Sequence, residues 1–177
     1  MKAAQTLDEK LHALREQFDR SFAVAAAEGG DEHLDFLAIR IAGDFYALRL
    51  SELASLHADR KLVPAPSLLP ELLGIAGFRG VLTPVYDLAA LLGYRAEPAG
   101  RWLVVARGPA PVAFAFGAFD AHLRVPPDRV SLAQAEANRA VDGAVHDGHG
   151  ALPLLHLASL VEGILQRIKA HGPSQER

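Results

Sequence analysis

Three histidines, His146, His149 and His156, lie close together with Asp142 and Asp147 beside them, and three imidazoles plus a carboxylate are a ligand set that suits zinc. Their spacing argues against that use. Asp147-Gly148 is a two-residue hairpin signal that puts His146 and His149 on opposite arms of an exposed turn, where a solvated histidine is the ordinary outcome. His156 reads as a helix-start residue, so neither a metal nor another cofactor is expected. Carboxylates for acid–base work would have to come from Asp120, Asp128 and Asp142, or from Asp44 and Asp87, and no spacing forces any of these together. The glycines of Gly74-Ile75-Ala76-Gly77-Phe78-Arg79-Gly80 run into β-like Val81 to Val85 instead of a helix N-terminus, which makes them hairpin glycines and not a phosphate cradle. Neither a P-loop nor a G-x-S-x-G nucleophile elbow occurs, and an enzyme reading has nothing to stand on.

What the chain does offer is an arginine at a hairpin turn, Arg79, flanked by Phe78 and by edge signals at Pro84 and Pro153. Arginine and aromatic side chains concentrate in protein interfaces, because each brings a large contact area and directional bonds. The alternative is Arg79 tied to a neighbouring carboxylate that holds the turn. Both readings stand at this point.

Composition narrows the class of partner. The 177 residues are half apolar, enough for one sizeable core or two small lobes. A net charge of -3 and no basic run longer than Arg60-Lys61 leave no footprint for a phosphate backbone, so nucleic acid is not an expected partner. Cysteine is absent, which excludes disulfides and thiol chemistry and agrees with a reducing compartment. With no apolar signal core at Met1 to Lys10, and no stretch near the roughly 18 apolar residues of a membrane span, the expectation is a cytoplasmic protein without direct membrane insertion.

Thr6-Leu7-Asp8-Glu9 is a capping box, and Leu7, Leu11, Leu14, Phe18 and Phe22 recur as one apolar stripe of an N-terminal amphipathic helix that ends at Gly29-Gly30-Asp31. The stripe packs on the protein's own body, or docks on a partner or a second copy. From Leu34 the period changes to two: Leu37, Ile39 and Ile41, a turn at Gly43-Asp44, then Tyr46, Leu48 and Leu50 form a β-hairpin. A second hairpin turns at Arg79-Gly80, and Asp87 then caps a short helix that Gly93 stops.

The pattern recurs. Phe36-Leu37-Ala38-Ile39 falls on Trp102-Leu103-Val104-Val105, the first turn on Pro109-Ala110, and Leu82 to Leu92 on Ala151 to Val161, with Pro84 on Pro153 and Asp87 on His156. Two such units imply two small β-barrels or barrel-like sheets, since closure is how short strands avoid exposed edges. A C-terminal helix with Leu157, Leu160, Val161, Ile164 and Ile168 on one face is expected to cement them. The chain thus divides into an N-terminal helical extension and linker (1–33), a two-lobed domain (34–170) and a disordered tail (171–177).

Phe36-Leu37-Ala38-Ile39 to Leu50, then Leu73-Gly74-Ile75, then Phe78-Arg79-Gly80-Val81-Leu82-Thr83-Pro84-Val85-Tyr86-Asp87-Leu88 resembles the CheW-like domain of bacterial chemosensory systems, with its R-G-x-x-x-P-V-x-D-L element. The resemblance spans about residues 34 to 165. It implies a mainly β fold of two SH3-like five-stranded barrels, and an adaptor that joins the regulatory domain of a CheA-type histidine kinase to the cytoplasmic tips of methyl-accepting chemotaxis receptors. It further implies receptor contacts along the groove between lobes, with Leu53, Ser55, Ile75, Phe78, Arg79 and Val85 as candidates and Gly80, Asp87 and His156 as turn and cap residues. Ser55 stands where many members carry an acidic residue, His156 where an acidic or amide residue is common, and Gly77 where Asn is usual. Loss of an acid at Ser55 removes one partner for Arg79; either another acid such as Glu52 replaces it, or Arg79 faces a partner molecule. The alternative function is a diverged paralogue that self-associates or recruits a different partner through Leu7, Leu11, Leu14, Phe18 and Phe22.

Overall fold

The computed structural model describes residues 33–95, 100–132, 140–148 and 150–171, so the Leu7 to Phe22 stripe, His149 and the tail from 172 onward lie outside the described residues. Hydrophobic alternation after Leu34 produces β1 (Leu34–Ile41) and β2 (Asp44–Arg49), a 3-10 turn at Leu50–Glu52, and β3 (Leu53–Ala58). Then follow β4 (Leu72–Phe78), β5 (Val81–Asp87) and the one-turn helix α1 (Leu88–Leu91). The second half repeats this as β6 (Trp102–Ala106), β7 (Ala113–Phe116), β8 (Ala118–Val125), β9 (Val130–Leu132), β10 (Val141–His146), β11 (Ala151–Leu155) and α2 (Leu157–His171).

The strands form two sheets, one of six in the order β8-β1-β2-β11-β10-β9 and one of five in the order β3-β6-β7-β5-β4. The expectation of five strands in each lobe is therefore corrected for the first sheet. Lobes and repeats also do not coincide. The first repeat's hairpin β1–β2 sits in the six-stranded sheet with β8 to β11, while the second repeat's β6–β7 sits in the five-stranded sheet with β3 to β5. Each exchanged hairpin is joined to its host by a short parallel pairing, Leu154 with Ala47 in one lobe and Val85 with Ala113 in the other.

Pairing partners show that the repeat holds through every ladder, including the irregularities. One bulge lies at Leu53/Ser55 against β6, and its counterpart is the irregularity that leaves Asp120 unpaired against β1. A second bulge at Leu72/Gly74 matches one at Val141/Gly143. Gly74 and Gly143 are forced by close approach, since a Cβ on either would collide with a backbone carbonyl, that of Val63 or Ser131. One correction emerges: Phe36 corresponds to Leu103, not Trp102, because the span from Val105 to its partner Ala113 is one residue shorter than that from Ala38 to its partner Ala47. A one-residue slip flips every side chain to the opposite face. Leu37 and Ile39 thus match Val104 and Ala106, all four in the core shared by the two sheets, while Phe36 and Leu103 lie in the separate cores of their own lobes.

Burial on both faces explains the near-continuous apolar runs of β1 and β6. The shared core also takes Leu48, Phe114 and Phe116 from the sheets, Leu88 from α1, and Leu157, Leu160, Val161 and Ile164 from α2. The apolar stripe of α2 ends there, because Ile168 is 45% exposed. Arg167 of α2 donates to both carboxylate oxygens of Glu71 at 2.9 and 3.0 Å, which fastens the helix to the segment before β4. The first hairpin turns at Ala42-Gly43 and not at Gly43-Asp44, since Ile41 pairs with Asp44 and both turn residues have positive φ, +50° and +91°. Arg79-Gly80 turns in the same way, with φ of +49° and +82°. The β10–β11 connection spans the four residues from Asp147 to Gly150 and not two; Asp147 donates its N–H to the Gly150 carbonyl and its carboxylate accepts the Gly150 N–H.

Candidate functional site

The two helix starts, equivalent in the repeat, are built differently. Asp87 accepts the Ala89 N–H at 3.0 Å and caps α1. His156, in the same place before α2, has no carboxylate to offer; its Nδ1 lies 2.7 Å from the Ser159 hydroxyl. The Leu157 N–H is taken instead by Glu52, from the 3-10 turn of the other repeat, at 2.8 Å. The second oxygen of Glu52 meets Arg49 at 3.3 Å, and Arg49 in turn reaches Asp142 at 2.9 Å. All three are partly buried, so each charge is held by its neighbours and the turn is locked to the root of α2.

That turn forms one wall of a cleft of about 620 Å³ between the six-stranded sheet and β3, lined by Leu34, Arg49, Leu50, Leu53, Ser55 and Arg107 among others. Leu34 and Leu50 are exposed large apolar side chains on its rim. Ser55 and Arg107 also line an adjoining cleft of about 400 Å³ at the end of the five-stranded lobe, with Phe78, Arg79, Val81 and Thr83. The Ser55 hydroxyl is 2.9 Å from Nε2 of His57, whose ring packs 4.8 Å from that of Phe78. Burial, then the nearby Arg60 and Arg79 guanidinium groups, lower the His57 pKa and keep the ring neutral.

Leu53, Ser55, Phe78 and Arg79 therefore come together around these two clefts. Val85 does not: it is 0% exposed in the core of the five-stranded lobe and can support the cleft only from behind. Ile75 pairs across an isolated bridge with Val63 and lines neither cleft. Glu52 does not replace an acid at position 55, because both its oxygens serve Arg49 and Leu157. Among the described residues no carboxylate is bonded to Arg79 or Arg107; Arg107 donates to the Leu53 carbonyl at 3.2 Å. Arg107 escapes sequence reading because only the pairing of Leu53 with Ala106 brings it to Ser55. Just past the turn, Val81 and Leu82 are an adjacent pair of exposed apolar side chains.

The equivalent cleft of the six-stranded lobe, about 470 Å³, has the opposite character. Ala54 is replaced by Asp120, Phe78 by Asp147 and Thr83 by Leu152, and Phe45 forms part of its lining. Beside it Arg40, the counterpart of Arg107, pairs with the lining residue Asp120 at 2.8 Å and lies 4.5 Å from the centre of the Phe45 ring. No group of three or more histidine and acidic side chains placed to hold a metal occurs among the described residues.

A family model described as CheW-like domain matches residues 35–164. The chain belongs to the CheW-like domain family. Its CheW-like domain is similar in fold to the crystal structure of scaffolding protein TtCheW from Thermoanaerobacter tengcongensis, with a TM-score of 0.65 at 16% identity, over 73% of this chain and 92% of that one. No curated protein sequence matches the chain. Apart from His33 and Leu34 at the edge of the first cleft, the residues that line these clefts lie within the matched span.

Proposed function

We propose that the protein is a chemosensory adaptor that works by binding alone, coupling the cytoplasmic tips of chemoreceptors to the regulatory domain of a CheA-type histidine kinase. The observation that carries this reading is the CheW-like match over residues 35–164, which includes both sheets and the start of α2. The shared core supports it physically: two sheets joined through exchanged hairpins form a body in which a contact on one lobe bears on the other. Leu53, Ser55, Phe78 and Arg79, with the newly found Arg107, are the receptor-facing residues in this reading. No helix among the described residues is long and apolar enough to cross a membrane, which agrees with a place in the cytoplasm beside receptor tips.

Calorimetric titration against the kinase regulatory domain encoded by the same genome tests the proposal. Micromolar binding, about -8 kcal/mol, is the expected result. Absence of binding to that domain and to a receptor tip fragment would overturn it. A second reading, a diverged self-associating or regulatory module, is favoured by the stripe of Leu7, Leu11, Leu14, Phe18 and Phe22, which lies outside the matched span. Deleting residues 1 to 30 should then change oligomeric mass or partner binding, whereas a simple adaptor keeps both.

A further inference from the structure

The two equivalent clefts share a backbone and differ in charge, and the difference centres on one residue held in an unfavourable conformation. Arg79 has a φ of +49°, in the left-handed region that favours glycine, and the equivalent residue of the other lobe is glycine, Gly148 at +94°. The turn therefore does not need an arginine, and the backbone is under strain to present one. Arg107 lines the same cleft, and among the described residues no carboxylate lines it and none is bonded to either arginine. Beside Arg79, Val81 is 51% and Leu82 75% exposed. The depressed pKa of His57, caused in part by Arg60 and Arg79, fits a positive field at this end of the lobe.

We infer that the cleft formed by Arg79, Arg107, Phe78 and Val81 takes an apolar protein segment that carries its own carboxylates, which supply in trans the counter-charge that Asp120 gives Arg40 within the other lobe. This rests on the adaptor reading and names the chemistry that its receptor-facing surface selects. Its apolar lining, which includes Ala54, Pro109 and Pro111, fits a protein segment and not a sugar–phosphate chain. Two guanidinium groups beside apolar walls make the contact both directional and dependent on salt.

The test is titration of the full chain with a receptor signalling-tip fragment from the same genome, at low and high salt, beside the kinase regulatory domain. Arg79→Gly, which copies the other lobe and relieves the backbone, should keep the melting temperature or raise it, weaken receptor binding at least tenfold and flatten its salt dependence. Ser55→Glu, which places a carboxylate beside the cleft in cis, should weaken it by a similar factor. Binding of both variants within twofold of the parent overturns the inference. So does a parent that binds the kinase domain but not the receptor fragment, an outcome that leaves the coupling to the kinase standing. If neither partner binds, the adaptor reading falls with it.

Discussion

Equivalent ends of the two lobes have been put to different uses. In the six-stranded lobe Arg40, beside the cleft, is paired with the lining residue Asp120 and stacked on Phe45, so its charge is met within the chain. In the five-stranded lobe Arg79 and Arg107 have no such partner among the described residues, and apolar Val81 and Leu82 stand exposed beside them. A duplicated backbone fixes where a side chain is displayed, but leaves its chemistry to be chosen separately in each copy. The helix starts teach the same lesson: Asp87 caps its own helix, whereas α2 borrows Glu52 from the other repeat.

The comparison can be broken most severely at the feature the copies share. Gly74→Ala or Gly143→Ala would drive a Cβ into the carbonyl of Val63 or Ser131, and each should cost on the order of 3 kcal/mol in urea unfolding, with similar values for the two copies. The helix starts should separate the copies. Glu52→Ala removes the cap of α2 and leaves Arg49 with Asp142 as its one remaining carboxylate among the described residues, for a loss of about 2–3 kcal/mol, whereas Asp87→Ala should cost about 1 kcal/mol. Arg79→Gly should raise stability by up to about 1 kcal/mol, since glycine accepts the turn without strain.

The smallest expected effect is on pH dependence. The folded-state pKa of His57 lies below the ordinary histidine value of 6.5, so the unfolded chain binds the proton more readily. Its contribution is present in full above that value and is lost as pH falls below it. The equivalent residue in the other lobe is Leu123, which cannot titrate. His57→Gln should therefore flatten the stability profile on the acid side of 6.5, as measured by thermal melting across pH.

Local signals were legible in the sequence. Asp87 caps its helix, Gly93 ends it with a φ of +84°, and Arg79-Gly80 makes its turn, because each depends on a few adjacent residues. The duplication was legible too, but its first strand was read one residue out of register: similar apolar residues on both faces of β1 and β6 hide the period of two. The exchange of hairpins left no mark, since a strand's pattern records that it is buried and not which sheet buries it. The role of Glu52 at the start of α2 and that of Arg107 in the cleft escape sequence reading for a related reason, as both act on residues far away in sequence.

A two-sided adaptor must hold both partners at once, and sedimentation velocity of the chain with the kinase regulatory domain and the receptor tip fragment tests that most directly. The account predicts a boundary that contains all three proteins and moves faster than that of any pair. Only binary complexes, with one partner displacing the other, would contradict it.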